Sequence, residues 1–179
     1  MDYLINNAGF GGLGKFHERN WADDHQMILL NVVALTALTR LFLPSMVARN
    51  RGRILQVSSI ASLLPGPMQA VYYATKAYIT SFSNAIAEEL HDTKVTVTNL
   101  MPGATQTEFG QVSGMGQTAM FDAPASAKAV AQAGYDALLA GKIDAFACLS
   151  LSEKFMVRMV PITPKKFWLS QVRKLQQPK

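Results

Sequence analysis

With 179 residues, 49% of them hydrophobic and 16% charged, the chain is long enough to bury a substantial core and too apolar to be a disordered segment. Its one cysteine, Cys148, leaves no intrachain disulfide and no cysteine cluster for a metal, and it reads as a small core residue. The formal charge of +5 gathers in the tail, where Lys154, Arg158, Lys165, Lys166, Arg173, Lys174 and Lys179 face Glu153 alone. Basic residues in a tail with no recognition motif argue against nucleic-acid binding.

No basic leader segment and no small-residue cleavage site follow Met1, so a cytoplasmic protein is expected. Asp2–Asn7 is a short apolar run suited to a buried parallel strand, and it ends in the turn-prone sequence NNAGFGGLG. Trp21–Ala48 reads as a long helix, with Asp23 and Asp24 in its first turn. Its apolar stretch from Met27 to Thr39 is interrupted by Asn31 and closed by Arg40 and Pro44. That is too short for a membrane span and reads as a buried helix. RILQVSS is a second strand, Tyr72–His91 a second long helix, and VTVTNLM a third strand that stops at Pro102-Gly103. A polar loop from Ala104 to Ala123 leads to an alanine-rich helix over 125–140, and DAFACLS supplies a last short strand. Strands alternating with helices predict an α/β fold, with a parallel sheet covered by helices on both faces. Ligands in such sheets bind at the carboxyl ends of the strands, and Asn6-Asn7-Ala8-Gly9, Ser59 and Pro102-Gly103 all fall there.

The chemically suggestive stretch runs from Ser59 to Lys76. Tyr72 and Lys76 stand four residues apart, which puts phenol and ammonium on one helical face. A free tyrosine titrates near pH ~10, and a fixed neighbouring cation favours its ionised form. A nearby serine hydroxyl could hold a carbonyl oxygen while the tyrosine passes it a proton. Ser58 competes with Ser59 for that task, and Tyr73 is the packing neighbour of Tyr72. His17, His25 and His91 stand apart, without the pattern of metal ligands.

From Leu4 to about Ala140 the sequence resembles the classical short-chain dehydrogenases/reductases. Asn6-Asn7-Ala8-Gly9 is similar to the family's NNAG turn. Asn31 lies 41 residues before Tyr72 and Ser59 lies 13 before it, the family's spacings for its asparagine and serine. Tyr72 and Lys76 fit its YxxxK motif. Pro102-Gly103 with Thr107 resembles its PGxxxT segment, with Thr105 a weaker rival. The resemblance implies an NAD(P)-dependent oxidoreductase that interconverts a carbonyl and a secondary alcohol. Tyr72 is then the general acid/base, and Lys76 lowers its pKa and binds the nicotinamide ribose. Ser59 holds the substrate oxygen, and Asn31 ties a relay water to the lysine. Asn7, Ala8, Gly9, Pro102, Gly103 and Thr107 border the cofactor, NAD or NADP with NADP preferred. No metal is implied.

The family's opening strand, TGxxxGxG turn and helix have no counterpart here. The chain starts at what is normally the fourth strand, as a partial Rossmann-like fold. GFGGLG reads as a flexible loop, because it does not open a phosphate-binding helix. The first strand is expected to carry an unpaired edge. The alternative function is therefore a cofactor-deficient remnant acting as a non-catalytic interaction module. Residues 1–150 read as the catalytic domain and 151–179 as a basic amphipathic extension, broken by Pro161 and Pro164.

That extension packs on its own domain or on a second copy, or lies peripherally on a membrane. Leu63, Leu64, Met68, Met115, Met120 and Phe121 suggest an apolar pocket for a small-to-medium substrate. Small residues on the Tyr72 helix permit close helix approach, and the family resemblance implies a homo-oligomer formed through this helix and the Asn31 helix.

Overall fold

The structure, a computed structural model, describes residues 1–177; Pro178 and Lys179 at the end of the extension lie outside the described residues. Four parallel strands form the sheet in the order β1 (Tyr3–Asn6), β2 (Gly52–Val57), β3 (Val95–Pro102) and β4 (Asp144–Ala147). The register sets Leu4 beside Ile54, Val57 beside Leu100 and Pro102 beside Ala147, so the carboxyl ends of the strands share one rim.

Period-two alternation divides β2 and β3 between two cores. Ile54, Val95 and Val97 join Leu4, Met46, Ile86 and Leu90 on one face. That face is covered by α1 (Trp21–Ala48) and α2 (Ala70–Glu89). Leu55, Leu100, Ala145 and Ala147 join Val130, Ala137 and Leu138 of α3 (Ala127–Leu139) on the other. Helices thus cover both faces, as the alternation of elements predicts.

The first strand is less buried than its apolar sequence suggests. Leu4 and Asn6 are buried, whereas Tyr3 and Ile5 remain 50% and 53% exposed. The α3 layer does not extend over β1, and β1 pairs on one side only.

The long first helix forms as expected, and its burial is confined to one stripe. Met27, Leu35, Thr39 and Met46 are buried, while Val33, Leu38 and Leu41 stay exposed. By length and composition the helix could cross a membrane, with a mean hydropathy of 1.8 over its most apolar 18 residues. Between Leu29 and Ala34 the helix widens into a π-turn that carries Asn31. Pro44 lies inside the helix, which continues to Ala48.

Beyond β4 the chain forms α4 (Leu151–Met159) and α5 (Lys165–Leu175), separated by Pro161 and Pro164. Ser150 and Glu153 cap α4 reciprocally. Cys148, expected in the core, is exposed instead. Its φ of 53° turns the backbone out of the strand immediately after Ala147.

Candidate active site

At the carboxyl rim a cavity of about 490 Å³ opens between the sheet, α2, the segment after β3 and the two tail helices. Ser59, Tyr72, Lys76, Asn7, Gly9, Pro102, Gly103 and Thr107 all line it. Ala8 and Asn31 do not, and each has a different setting.

Asn31 is 1% exposed, and its amide is used by the neighbouring turn. Its Oδ1 accepts from Phe10 N at 3.1 Å, and its Nδ2 donates to Phe10 O at 2.9 Å and to Thr75 Oγ1 at 3.1 Å. The π-turn of α1 presents this amide to the segment after β1, so Asn31 pins the strand-end turn to both helices. Ala8 lies exposed on that turn. A methyl group on Gly9 would meet Asn31 Oδ1 at 3.0 Å and Lys76 Nζ at 3.6 Å, so only glycine leaves the space beside the lysine open.

The glycine loop that follows is tied down, which corrects the expectation of a flexible loop. Leu13 N donates to Ser113 O at 2.9 Å and Gly14 N to Met68 O at 2.8 Å. Arg19, paired at 2.8 Å with the buried Asp24, also donates to Leu13 O at 3.1 Å. A side chain at Gly11 would strike Phe109 Cζ at 2.8 Å and Tyr72 Cδ2 at 3.2 Å. The loop therefore forms a floor under the tyrosine.

Helix α2 buries one stripe, Tyr72, Tyr73, Thr75, Lys76, Ile79, Ser83 and Ile86. The four-residue spacing that sets Tyr72 and Lys76 on one helical face places both side chains inside. Lys76 Nζ donates to Val57 O at 2.8 Å and sits 5.8 Å from the Tyr72 ring centroid. Burial disfavours the ammonium and pulls the Lys76 pKa down to about 8. Burial pushes the Tyr72 phenol up to about 12, and hydrogen bonding by the Ser59 hydroxyl draws it partly back. The sequence reading has Lys76 lowering this phenol; in the structure desolvation outweighs any such effect. Tyr72 is thus protonated at neutral pH and is set to donate a proton.

The two serines separate by environment. Ser58 also lines the cavity, but its Oγ is committed to Lys76 O at 3.0 Å and Thr80 Oγ1 at 2.8 Å. Ser59 Oγ is half-buried, caps the turn after it by accepting from Ala61 N at 3.1 Å, and reaches Pro102 O only at 3.4 Å. Ser59 therefore has hydrogen-bonding capacity left for a ligand. Thr105 donates to Gly103 O at 3.0 Å, while exposed Thr107 accepts from Phe109 N at 3.2 Å. Both threonines border the cavity.

Sequence reasoning missed the part played by the tail. Met156, Val160, Trp168 and Val172 pack against the cluster holding Tyr72 and Tyr73. Gln176, fully buried, donates from Nε2 to Tyr73 Oη at 2.6 Å, 103 residues away in sequence. The available signal was the i, i+4 spacing of Met156 with Val160 and of Trp168 with Val172. Two short amphipathic turns do not reveal what they cover.

This lock yields an expectation for stability. Gln176→Leu strands the buried Tyr73 hydroxyl and is expected to cost about 1–3 kcal/mol. Adding Tyr73→Phe removes the stranded group, and most of the loss should return in thermal denaturation of the double variant. A Gln176→Leu chain as stable as the original would mean that the tail does not dock in solution.

The residues around Lys76 fit the nicotinamide-ribose end of a dinucleotide. A buried ammonium with one carbonyl partner has donors to spare, and the glycine cradle at Gly9 keeps the space beside it open. Nothing comparable presents itself for the pyrophosphate, since no TGxxxGxG turn occurs in the sequence.

Comparison with known proteins agrees with this geometry. The short chain dehydrogenase family matches residues 1–117. A probable NADP-dependent dehydrogenase of Haemophilus influenzae is 45% identical over 114 residues, covering 63% of this chain and 45% of the relative. An NADP-dependent 3-hydroxy acid dehydrogenase of Salmonella typhi is 42% identical over 114 residues, covering 63% of this chain and 46% of the relative. The chain spans about half the length of the curated relatives it matches. A short-chain dehydrogenase from Sphingobium yanoikuyae, solved with NADPH, has the same fold. It superposes with a TM-score of 0.78 at 23% identity over 100% of this chain and 68% of its own. With that sequence match, that shared fold and a serine, tyrosine and lysine on one cavity, the chain belongs to the short chain dehydrogenase family.

Proposed function

We propose that the chain carries the proton-transfer and substrate end of an NADP-dependent oxidoreductase. It reduces a carbonyl on a small-to-medium apolar substrate to a secondary alcohol. The observation that carries this reading is the convergence of Ser59, Tyr72 and Lys76 on one largely apolar cavity. A reduced nicotinamide, when bound, supplies the hydride. Ser59 Oγ holds the carbonyl oxygen, and the Tyr72 phenol donates the proton that completes the hydroxyl. A phenol held near 12 favours the acid role and hence the reductive direction. Lys76 binds the ribose hydroxyls and presents positive charge beside the tyrosine as its proton leaves. Asn31 keeps the turn at Gly9 and Phe10 in place and thereby preserves the floor of the site.

The preference for NADP over NAD rests on the names of the relatives, which are NADP-dependent dehydrogenases. A second copy of the chain suits the outer faces of α1 and α2. There the exposed Val33, Leu38 and Leu41 adjoin an exposed row of Ala74, Ala77, Ser81 and Ala85. The packed face of the tail is taken up by the site, so any peripheral membrane contact falls to its exposed Leu151, Phe155 and Ile162. A cytoplasmic setting fits the family and a first helix whose apolar stripe is packed on the sheet.

The test is oxidation of NADPH and of NADH by the purified chain with a panel of aldehydes and ketones, read from the absorbance of the reduced nicotinamide. Carbonyl-dependent oxidation, faster with NADPH, is expected. A folded chain with no turnover of either cofactor would overturn the catalytic reading and leave that of an interaction module.

A further inference from the structure

Part of the cavity wall comes from residues outside the stretch shared with the family. The match ends at residue 117, whereas Met120, Phe121, Glu153, Met156, Val172 and Leu175 all come later. What a relative accepts as substrate therefore does not settle what these walls accept.

Their charges are unequal. Among the described residues lining the cavity, the one basic side chain is Lys76, already bonded to Val57 O beside Tyr72. Two carboxylates line it, Glu108 in an exposed position and Glu153 at the start of α4. Glu153 is fixed in place. Its Oε2 accepts from Ser150 N at 2.7 Å and from Ser150 Oγ at 2.8 Å, so the helix cap orients the carboxylate. Its other oxygen faces Gly103, where a methyl group would run into it. The remaining wall is dominated by aliphatic, aromatic and methionine side chains. A carboxylate on the substrate would leave water for an apolar wall, beside a fixed like charge and with no basic partner beyond Lys76, whose spare donors serve the ribose site. Such a charge binds poorly.

We infer that the cavity selects against carboxylate-bearing substrates and takes uncharged or cationic carbonyl compounds with an apolar body, with Glu153 as the specificity-determining residue. The reaction assigned to those substrates rests on the proposed function, but the binding preference does not. The inference separates this chain from the 3-hydroxy acid dehydrogenase it resembles, because Glu153 lies beyond the residues matched to the family.

The test uses three isosteres: 4-ethylacetophenone, 4-acetylbenzoate and 4-(aminomethyl)acetophenone. Each is titrated into the chain labelled with ¹³C at its methionine methyl groups, with and without NADPH. Met115, Met120 and Met156 line the cavity and report occupancy directly. The neutral and cationic ketones are expected to shift these methyls, with the benzoate at least tenfold weaker. Glu153→Gln, which keeps the helix cap because glutamine serves equally at that position, should narrow the gap. Glu108→Gln, at an exposed position, gives a second comparison if the first variant does not fold. Benzoate binding as tightly as the neutral ketone in the unmodified chain overturns the inference. So does the failure of all three ligands to shift the methyls. Charge selection by a chain that binds no NADPH would instead sink the proposed reaction and leave this inference standing.

Discussion

Tyr72→Phe is expected to lower carbonyl reduction by about 10²–10⁴-fold, the usual contribution of a positioned general acid. That corresponds to roughly 3–5 kcal/mol of transition-state stabilisation. The loss should fall on kcat, because phenylalanine keeps the shape of the site. The ring would still lie 5.3 Å from Phe109, 6.0 Å from Tyr73 and 5.8 Å from Lys76 Nζ. Binding of reduced nicotinamide and thermal stability should change little. A phenol at about 12 stays protonated throughout the physiological range, so the wild-type rate should show no limb from Tyr72 below pH ~10. A Tyr72→Phe chain that keeps more than a tenth of the original kcat would assign the proton to another group.

Lys76→Met should act in opposite directions on stability and on function. Lys76 is 5% exposed, and burial lowers its pKa from 10.5 to about 8, a penalty of roughly 3 kcal/mol on holding the charge in the folded state. Methionine fills a similar volume without that penalty and gives up one charge-assisted hydrogen bond, worth about 1.5–3 kcal/mol. A net gain of up to about 1.5 kcal/mol at pH 7 is expected in chemical denaturation, together with loss of nicotinamide binding.

The pH dependence identifies the source. Between about pH 8 and 10.5 the unfolded chain binds more protons at Lys76 than the folded one, so stability rises with pH across that window. Tyr72 works the other way. Its folded pKa is raised from 10 to about 12, so stability is lost as pH climbs between them. Lys76→Met should abolish the rise and keep the fall. A variant less stable than the original at pH 7 would show that the lysine is not held as a buried charge.

Local features of the site could be read from the sequence, because helical spacing fixes them. Tyr72 and Lys76 share a face by counting alone, whereas the family's spacing, rather than helical geometry, singles out Ser59 over Ser58. The alternation of strands with helices likewise pointed to a parallel sheet with both faces covered, as the parallel pairing of β2 with β3 and the two cores bear out. Features that depend on distant partners could not be read. Gln176 meets Tyr73 only because two tail helices fold back across the rim. Nothing within the apolar run of β1 shows that its Tyr3 and Ile5 face lies beyond the reach of α3. Cys148 looked like core until a left-handed residue at the strand end turned it outward. The direction of the Tyr72 shift was missed for a related reason. The sequence shows the neighbouring cation, while the desolvation that outweighs it comes from the fold packed around the ring.

The most direct test of the central claim is a titration of the folded chain with reduced nicotinamide mononucleotide, followed by nicotinamide fluorescence. That molecule carries the end of the cofactor that the residues around Lys76 fit and omits the dinucleotide bridge, for which this sequence has no TGxxxGxG turn. Saturable binding, at least tenfold weaker in Lys76→Met, is the predicted result. Absence of saturable binding, or equal binding by the variant, would contradict the assignment of this cavity to nicotinamide chemistry.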